Sequence, residues 1–189
     1  MGLSLAALTD RLHRSDSYRA SFPRALGQPP SAAGVARALA SYVRSQRAGD
    51  APFDRYRAGD ADALSETAIR GLRLFRGRAH CSACHAGPNF SDEGFHNTGV
   101  SWGSADLGRY RVTRRANDRG AFKTPTLRQL RFTAPYMHDG SFETLEAVVD
   151  FYDRGGTSNP YSDPDLRRLH LTATEKTELI AFLQSLSKP

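Results

Sequence analysis

Cys81 and Cys84 are the only cysteines in a chain of 189 residues, and His85 follows them directly. Two thiols at this spacing can form thioethers to the two vinyl groups of a haem, and the adjacent histidine is then held under the iron as its proximal ligand. The competing uses of the pair are plainer. A disulfide suits two cysteines in an exported chain. A thioredoxin-like redox pair needs a strand-to-helix turn inside an α/β pattern, which is absent. Structural zinc needs four ligands, and there is no second Cys-x-x-Cys and no His-x-x-x-His. The motif is therefore read as covalent attachment of one haem c.

The opposite face of such an iron decides its chemistry, because the second axial ligand sets both potential and access. Met137, His138, Tyr152, His96 and His170 are the side chains able to reach it from another segment, whereas His80 is too close to the attachment site to cross the ring. Methionine opposite histidine is a common c-type pairing, which puts Met137 ahead of Tyr152 on spacing alone. Met137 packed in the core and Tyr152 as an ordinary helix residue with its hydroxyl at the boundary remain open alternatives.

The elements that must position these groups are helices joined by long irregular connections, with no period-two strand run. Ser31 caps a predicted helix to about residue 46, with Val35, Leu39, Tyr42 and Val43 on one face. Residues 48–63, with Gly49, Pro52 and Gly59, are predicted as loop. Ser65 opens a helix with an Ala68, Leu72, Phe75 stripe that stops near Gly77 and leads into the haem motif. Residues 86–135 form a long irregular stretch of the kind that wraps a ligand. Ser141 is predicted to cap the next helix, whose inner face is Leu145, Val148, Val149 and Tyr152 and which Gly155-Gly156 ends. Thr172-Ala173-Thr174-Glu175 is a capping box opening the last helix. The fold expected is all-α, a cytochrome c-like haem domain over residues 64–189 with a helical junction segment over 1–63.

Lysine and arginine exceed acidic residues by 26 to 20, a net charge of +6 carried almost wholly by arginine. There is no basic block of the nucleic-acid-reading kind, so no nucleic-acid partner is expected and none is drawn from charge. No stretch has the length of a membrane span. The first residues lack a cationic n-region and reach Asp10 and Arg11 too early for a signal peptide. Since c-haem is attached outside the bacterial cytoplasm, the expectation is a periplasmic protein whose N-terminal portion, leader included, precedes Met1.

Several further motifs fall in order along the chain. Phe122-Lys123-Thr124-Pro125-Thr126-Leu127-Arg128 is followed by Thr133-Ala134-Pro135-Tyr136-Met137-His138-Asp139-Gly140-Ser141, then by Thr144-Leu145-Glu146 and Val148-Val149-Asp150-Phe151-Tyr152-Asp153-Arg154-Gly155-Gly156. Together with Pro52-Phe53-Asp54-Arg55-Tyr56, Leu64-Ser65-Glu66 and the closing Ala181-Phe182-Leu183-Gln184-Ser185-Leu186, they resemble the bacterial dihaem cytochrome c peroxidases, and in particular their MauG-like branch, over almost the whole chain.

The resemblance implies a C-terminal haem domain that transfers electrons to or from a peroxide-reacting haem carried by an N-terminal domain, with hydrogen peroxide as the substrate of the complete enzyme. It moves the distal ligand to Tyr152, with Met137 as the alternative. It also implies calcium on the backbone carbonyls near Thr133 and Pro135, and places Arg128 and His138 behind the ligands or beside the haem propionates. This chain departs from the family pattern in two respects. It has one Cys-x-x-Cys-His where complete members have two, and it has Ala79 where the MauG-like branch keeps a tryptophan between the haems. Trp102 is no positional substitute for that tryptophan. The rival reading is a free-standing monohaem electron carrier without peroxidase activity.

Overall fold

The computed structural model describes residues 3–46, 48–100 and 102–188. These form two compact units, residues 1–47 and 48–189.

The first unit is three helices. Ser4 caps α1 (Leu5–His13) by accepting a hydrogen bond from the Ala7 amide at 3.2 Å, and α2 (Asp16–Leu26) and α3 (Ala32–Ser45) both pack against α1. Ser31 caps α3 as expected, its hydroxyl accepting from the Gly34 amide at 3.0 Å. Phe22 is buried beside Gly34. The apolar stripe of α3 does not enter a core: Leu39, Tyr42 and Val43 are 61–66 % exposed.

The second unit begins earlier than residue 64. Residues predicted as loop contain a helix, α4 (Pro52–Arg57), and a 3₁₀ turn at Ala61–Ala63. Proline at the first helical position has no amide to leave unsatisfied, and the Asp54 carboxylate reaches back to the Ala51 amide at 3.1 Å. Phe53 is then driven into the core. Its ring meets Phe90 and Phe182 edge-on at 5.2 and 5.6 Å, and its amide donates to the Ser185 carbonyl at 3.2 Å. The boundary between the compact units thus lies at 47/48, sixteen residues before the one read from sequence, because this one phenylalanine belongs to the haem-motif unit.

Around that anchor, α5 (Glu66–Arg76) and α8 (Ala173–Gln184) cross closely. Ser65 caps α5, and the Thr172–Glu175 box caps α8, both as expected. Gly71 sits at the crossing point, where a Cβ would lie 1.9 Å from the Glu178 carbonyl oxygen. Phe75 and Phe182 meet at 5.0 Å in the same aromatic cluster, and each such pair contributes about 0.5–1.5 kcal/mol beyond its buried area. Beside it the Arg70 Nε donates to the largely buried Glu178 carboxylate at 2.5 Å.

The long stretch 86–135 is mostly irregular, but a two-residue ladder pins it: β1 (Phe95–His96) pairs antiparallel with β2 (Phe122–Lys123), enclosing the short helix α6 (Tyr110–Thr113). Helix α7 (Leu145–Asp153) starts later than expected. Thr144, not Ser141, caps it by accepting from the Ala147 amide at 3.2 Å, while the Ser141 amide closes a turn onto the Asp139 carboxylate. At its end Gly156 adopts φ +70°, and a Cβ there would stand 2.4 Å from the Thr98 carbonyl oxygen. The architecture is all-α with a two-stranded clip, the fold class read from sequence.

Candidate haem-binding site

Helix α5 ends at Gly77 and delivers the chain into a 3₁₀ turn at Cys81–Ala83. Within it the His85 amide donates to the Cys81 carbonyl at 2.9 Å, so the two thiols and the imidazole are presented from one compact turn. Both thiols are free. Burial pushes the Cys81 thiol up to about 12. Burial, then the nearby carboxylates of Asp163, Asp92 and Asp165, push Cys84 up to about 11. Thiols held protonated at neutral pH are poor nucleophiles for disulfide exchange, which weighs against the redox-pair alternative.

The His85 ring is oriented by its own loop. Nδ1 lies 2.9 Å from the Phe90 carbonyl oxygen, so it carries the proton and Nε2 is left with its lone pair. Burial lowers the His85 pKa, and the hydrogen bond to Phe90, the Asp92 charge and a weaker hydrogen bond to the Pro125 backbone oppose this only in part. A neutral imidazole with one nitrogen donated to a carbonyl is the form that ligates a metal.

Tyr152 comes to the same place from the last turn of α7. Helix α7 is fixed there by Asp153, whose carboxylate accepts from the Leu171 amide at 2.8 Å and from Lys176 at 2.7 Å. Burial pushes the Tyr152 phenol up to about 12, and the thiols of Cys81 and Cys84 are close enough to add to it. The phenol thus lies within electrostatic reach of both thiols, and the His85 imidazole shares the thiols' turn, a set of donors that suits a covalently held haem.

The other sequence-derived residues fall elsewhere. Met137 is half-buried in the turn after Pro135, with φ +71°. His138 is exposed and stacks on Phe122, ring centroids 3.4 Å apart. Thr133 and Pro135 are exposed on the preceding loop. His170 is exposed, and His80 faces Asp165 at 3.4 Å. Arg128 has a side chain only 9 % exposed. Its Nη1 donates to Asp54 at 2.8 Å and its Nε to the Pro88 carbonyl at 2.9 Å.

Two groups hold the loop around the motif: Asn97, to which sequence reasoning gave no role, and His96, which it offered only as a candidate axial ligand and which is instead engaged by two carboxylates. Asn97 is buried and donates to the Arg119 carbonyl at 2.7 Å, while its own backbone carbonyl accepts from the Asp163 amide at 3.0 Å. His96 lies between two carboxylates, 2.6 Å from Asp163 and 2.9 Å from Asp92. Burial opposes its charge, but the two hydrogen bonds outweigh it and raise the pKa. Cys84 Sγ, an Asp92 oxygen and a His96 nitrogen lie within 4.8 Å of one another. When protonated, His96 donates from both nitrogens and the cluster acts as an ionic clamp.

Known proteins resemble this chain in sequence and fold. The family model described as di-haem cytochrome c peroxidase matches residues 1–62. The methylamine utilization protein MauG of Methylorubrum extorquens is 40 % identical over 190 residues, 98 % of this chain and 54 % of that protein. Cytochrome-c peroxidase IdrP1 of a Pseudomonas species is 39 % identical over 94 % of this chain and 55 % of its own length. The chain thus spans about half the length of these curated relatives. Among solved structures, a MauG-like protein associated with microbial copper homeostasis superimposes with a TM-score of 0.78 at 32 % identity, over 97 % of this chain and 62 % of the other. The diheme peroxidase BthA of Burkholderia thailandensis, at 21 % identity and a TM-score of 0.72, shares the fold. On motif, fold and these likenesses together, the chain belongs to the dihaem cytochrome c peroxidase/MauG-like family and corresponds to the C-terminal part of its members.

Proposed function

We propose that this chain is the haem domain through which a dihaem peroxidase moves electrons to or from a peroxide-reacting haem. Membership of a dihaem family implies haem c binding. In our reading this chain holds one such group: Cys81 and Cys84 anchor it, His85 is the proximal ligand and Tyr152 the distal one. When bound, the haem supplies one-electron redox chemistry.

The chain's own residues do the rest. The observation that carries the reading is the His85 ring, neutral and aimed by the Phe90 carbonyl, in the same turn as two free thiols. Burial keeps the proton on the Tyr152 oxygen, so its ligation as phenolate needs a nearby cation to displace that proton. With His85 and Tyr152 both holding the iron, the site would favour electron exchange over direct attack by peroxide. Hydrogen peroxide and a redox partner protein are accordingly proposed for the complete enzyme. The periplasm is the proposed compartment; no described helix is long and apolar enough to cross a membrane. We also assign calcium to the carbonyls of Thr133 and Pro135. Oxygen donors suit it, and added calcium should raise the thermal midpoint.

The test is expression with c-haem maturation factors. The product should be red, with a Soret band that survives acid–acetone extraction, and Cys81→Ala with Cys84→Ala should abolish that retention. A colourless native product would sink the reading.

A further inference from the structure

Three consecutive carbonyls in the loop after the haem motif each have a designated partner. Pro88 O accepts from Arg128 Nε at 2.9 Å, Asn89 O from the Thr126 hydroxyl at 2.7 Å, and Phe90 O faces His85 Nδ1 at 2.9 Å. The loop does not hold this shape by local preference, since Phe90 has φ +52°, a region costly for a bulky side chain. Its ring is instead buried in the aromatic core, with the Arg128 guanidinium 5.1 Å from its centroid. Arg128 is in turn seated by Asp54, 74 residues away in sequence, and the same Asp54 oxygen closes the start of α4.

Resting on the haem reading, we propose that Arg128, seated on Asp54 and assisted by Thr126, is a positioning residue. It holds the Phe90 carbonyl against His85 Nδ1 and so sets how strongly His85 donates to the iron. A carbonyl pulling on the Nδ1 proton gives the ring imidazolate character, which favours the ferric state and lowers the reduction potential. Loosening the loop weakens that bond and raises the potential.

Charge and positioning predict opposite signs, so the experiment separates them. Removing a cation near the haem by itself favours ferric iron and lowers the potential. In the haem-loaded chain, Thr126→Val, which changes no charge, and Arg128→Lys, which keeps it, should both raise the midpoint potential measured by spectroelectrochemistry. Both should also speed solvent exchange of the His85 Nδ1 proton seen by NMR. Arg70→Gln, which breaks the remote ion pair to Glu178, should move neither reading. Unchanged potentials in the two variants with an intact Soret band overturn the proposal and leave the haem reading standing. So does a lowered potential in Arg128→Gln with no change in the other two, since loss of charge alone would explain it. If the Arg128 variants do not load haem, the direction of shift in Thr126→Val decides. A native chain without covalent haem overturns both readings.

Discussion

At Tyr152 two demands meet. Its ring must pack in the last turn of α7, and its hydroxyl must lie within electrostatic reach of the Cys81 and Cys84 thiols. A residue that merely packed would tolerate loss of the hydroxyl, whereas an axial ligand would not. Tyr152→Phe in the haem-loaded chain should shift the ferric absorption spectrum and spin state, and Met137→Ala should leave both in place; the reverse pattern would move the ligand to Met137. His96 carries a prediction of another kind. Its folded pKa is raised above the ordinary 6.5 by Asp163 and Asp92 against the opposing effect of burial. The stabilisation is therefore full below pH 6.5 and is lost as pH rises through the higher folded value. Urea midpoints should fall between these conditions in the native chain and change less in His96→Gln. An Asp92 oxygen and a His96 nitrogen lie within 4.8 Å of Cys84 Sγ in the haem turn, so the clamp also keeps the 92–96 segment against it.

Among the elements, the α5–α8 crossing decides whether the motif is presented at all, because α5 runs directly into it. Gly71 allows the two backbones to touch, and a methyl group there would overlap the Glu178 carbonyl at 1.9 Å. Relief requires the helices to part, which strains the Phe75–Phe182 contact as well. Gly71→Ala should cost about 3 kcal/mol, read as a lowered denaturant midpoint. The helix-end signals were legible where the cap and its partner lie within three residues, at Ser31, Ser65 and Thr172. The start of α7 was misplaced because both Ser141 and Thr144 are competent caps. The Asp139 carboxylate takes the Ser141 amide into a turn, and the helix begins only after it. Helix α4 went unread because glycines on both sides mark a loop, although Pro52 followed by Asp54 at the third helical position was a usable signal.

On the scale of the whole molecule, Phe53 assigns residues 48–63 to the haem-motif unit. It is 1 % exposed and touches Phe90, the residue whose carbonyl orients His85. A chain of residues 48–189 should therefore take up covalent haem with the Soret band of the full chain, while residues 64–189 should load poorly and unfold at lower denaturant. Equal behaviour of the two pieces would show that the aromatic anchor is dispensable. Removal of residues 1–63 deletes Asp54 too, leaving the nearly buried Arg128 charge without its partner, a second reason for the shorter piece to fail.

Sequence alone determined the attachment motif, the helical fold class and the starts of α3, α5 and α8, because each depends on residues a few positions apart. The thiols and His85 must be adjacent for one turn to anchor a haem and ligate its iron, and a cap must lie one turn from the amide it satisfies. The resemblance to the dihaem peroxidases was legible for the same reason, being carried by short ordered motifs. Only the tertiary structure decided that Arg128 belongs to Asp54 and Pro88, that His96 is held between Asp92 and Asp163, and that Gly71 is a contact point. Those pairings join segments 74 or 67 residues apart, or two crossing helices, and no local pattern marks which buried group will meet which. The chemistry was written in five adjacent residues, while their geometry is set by partners brought in from the rest of the chain.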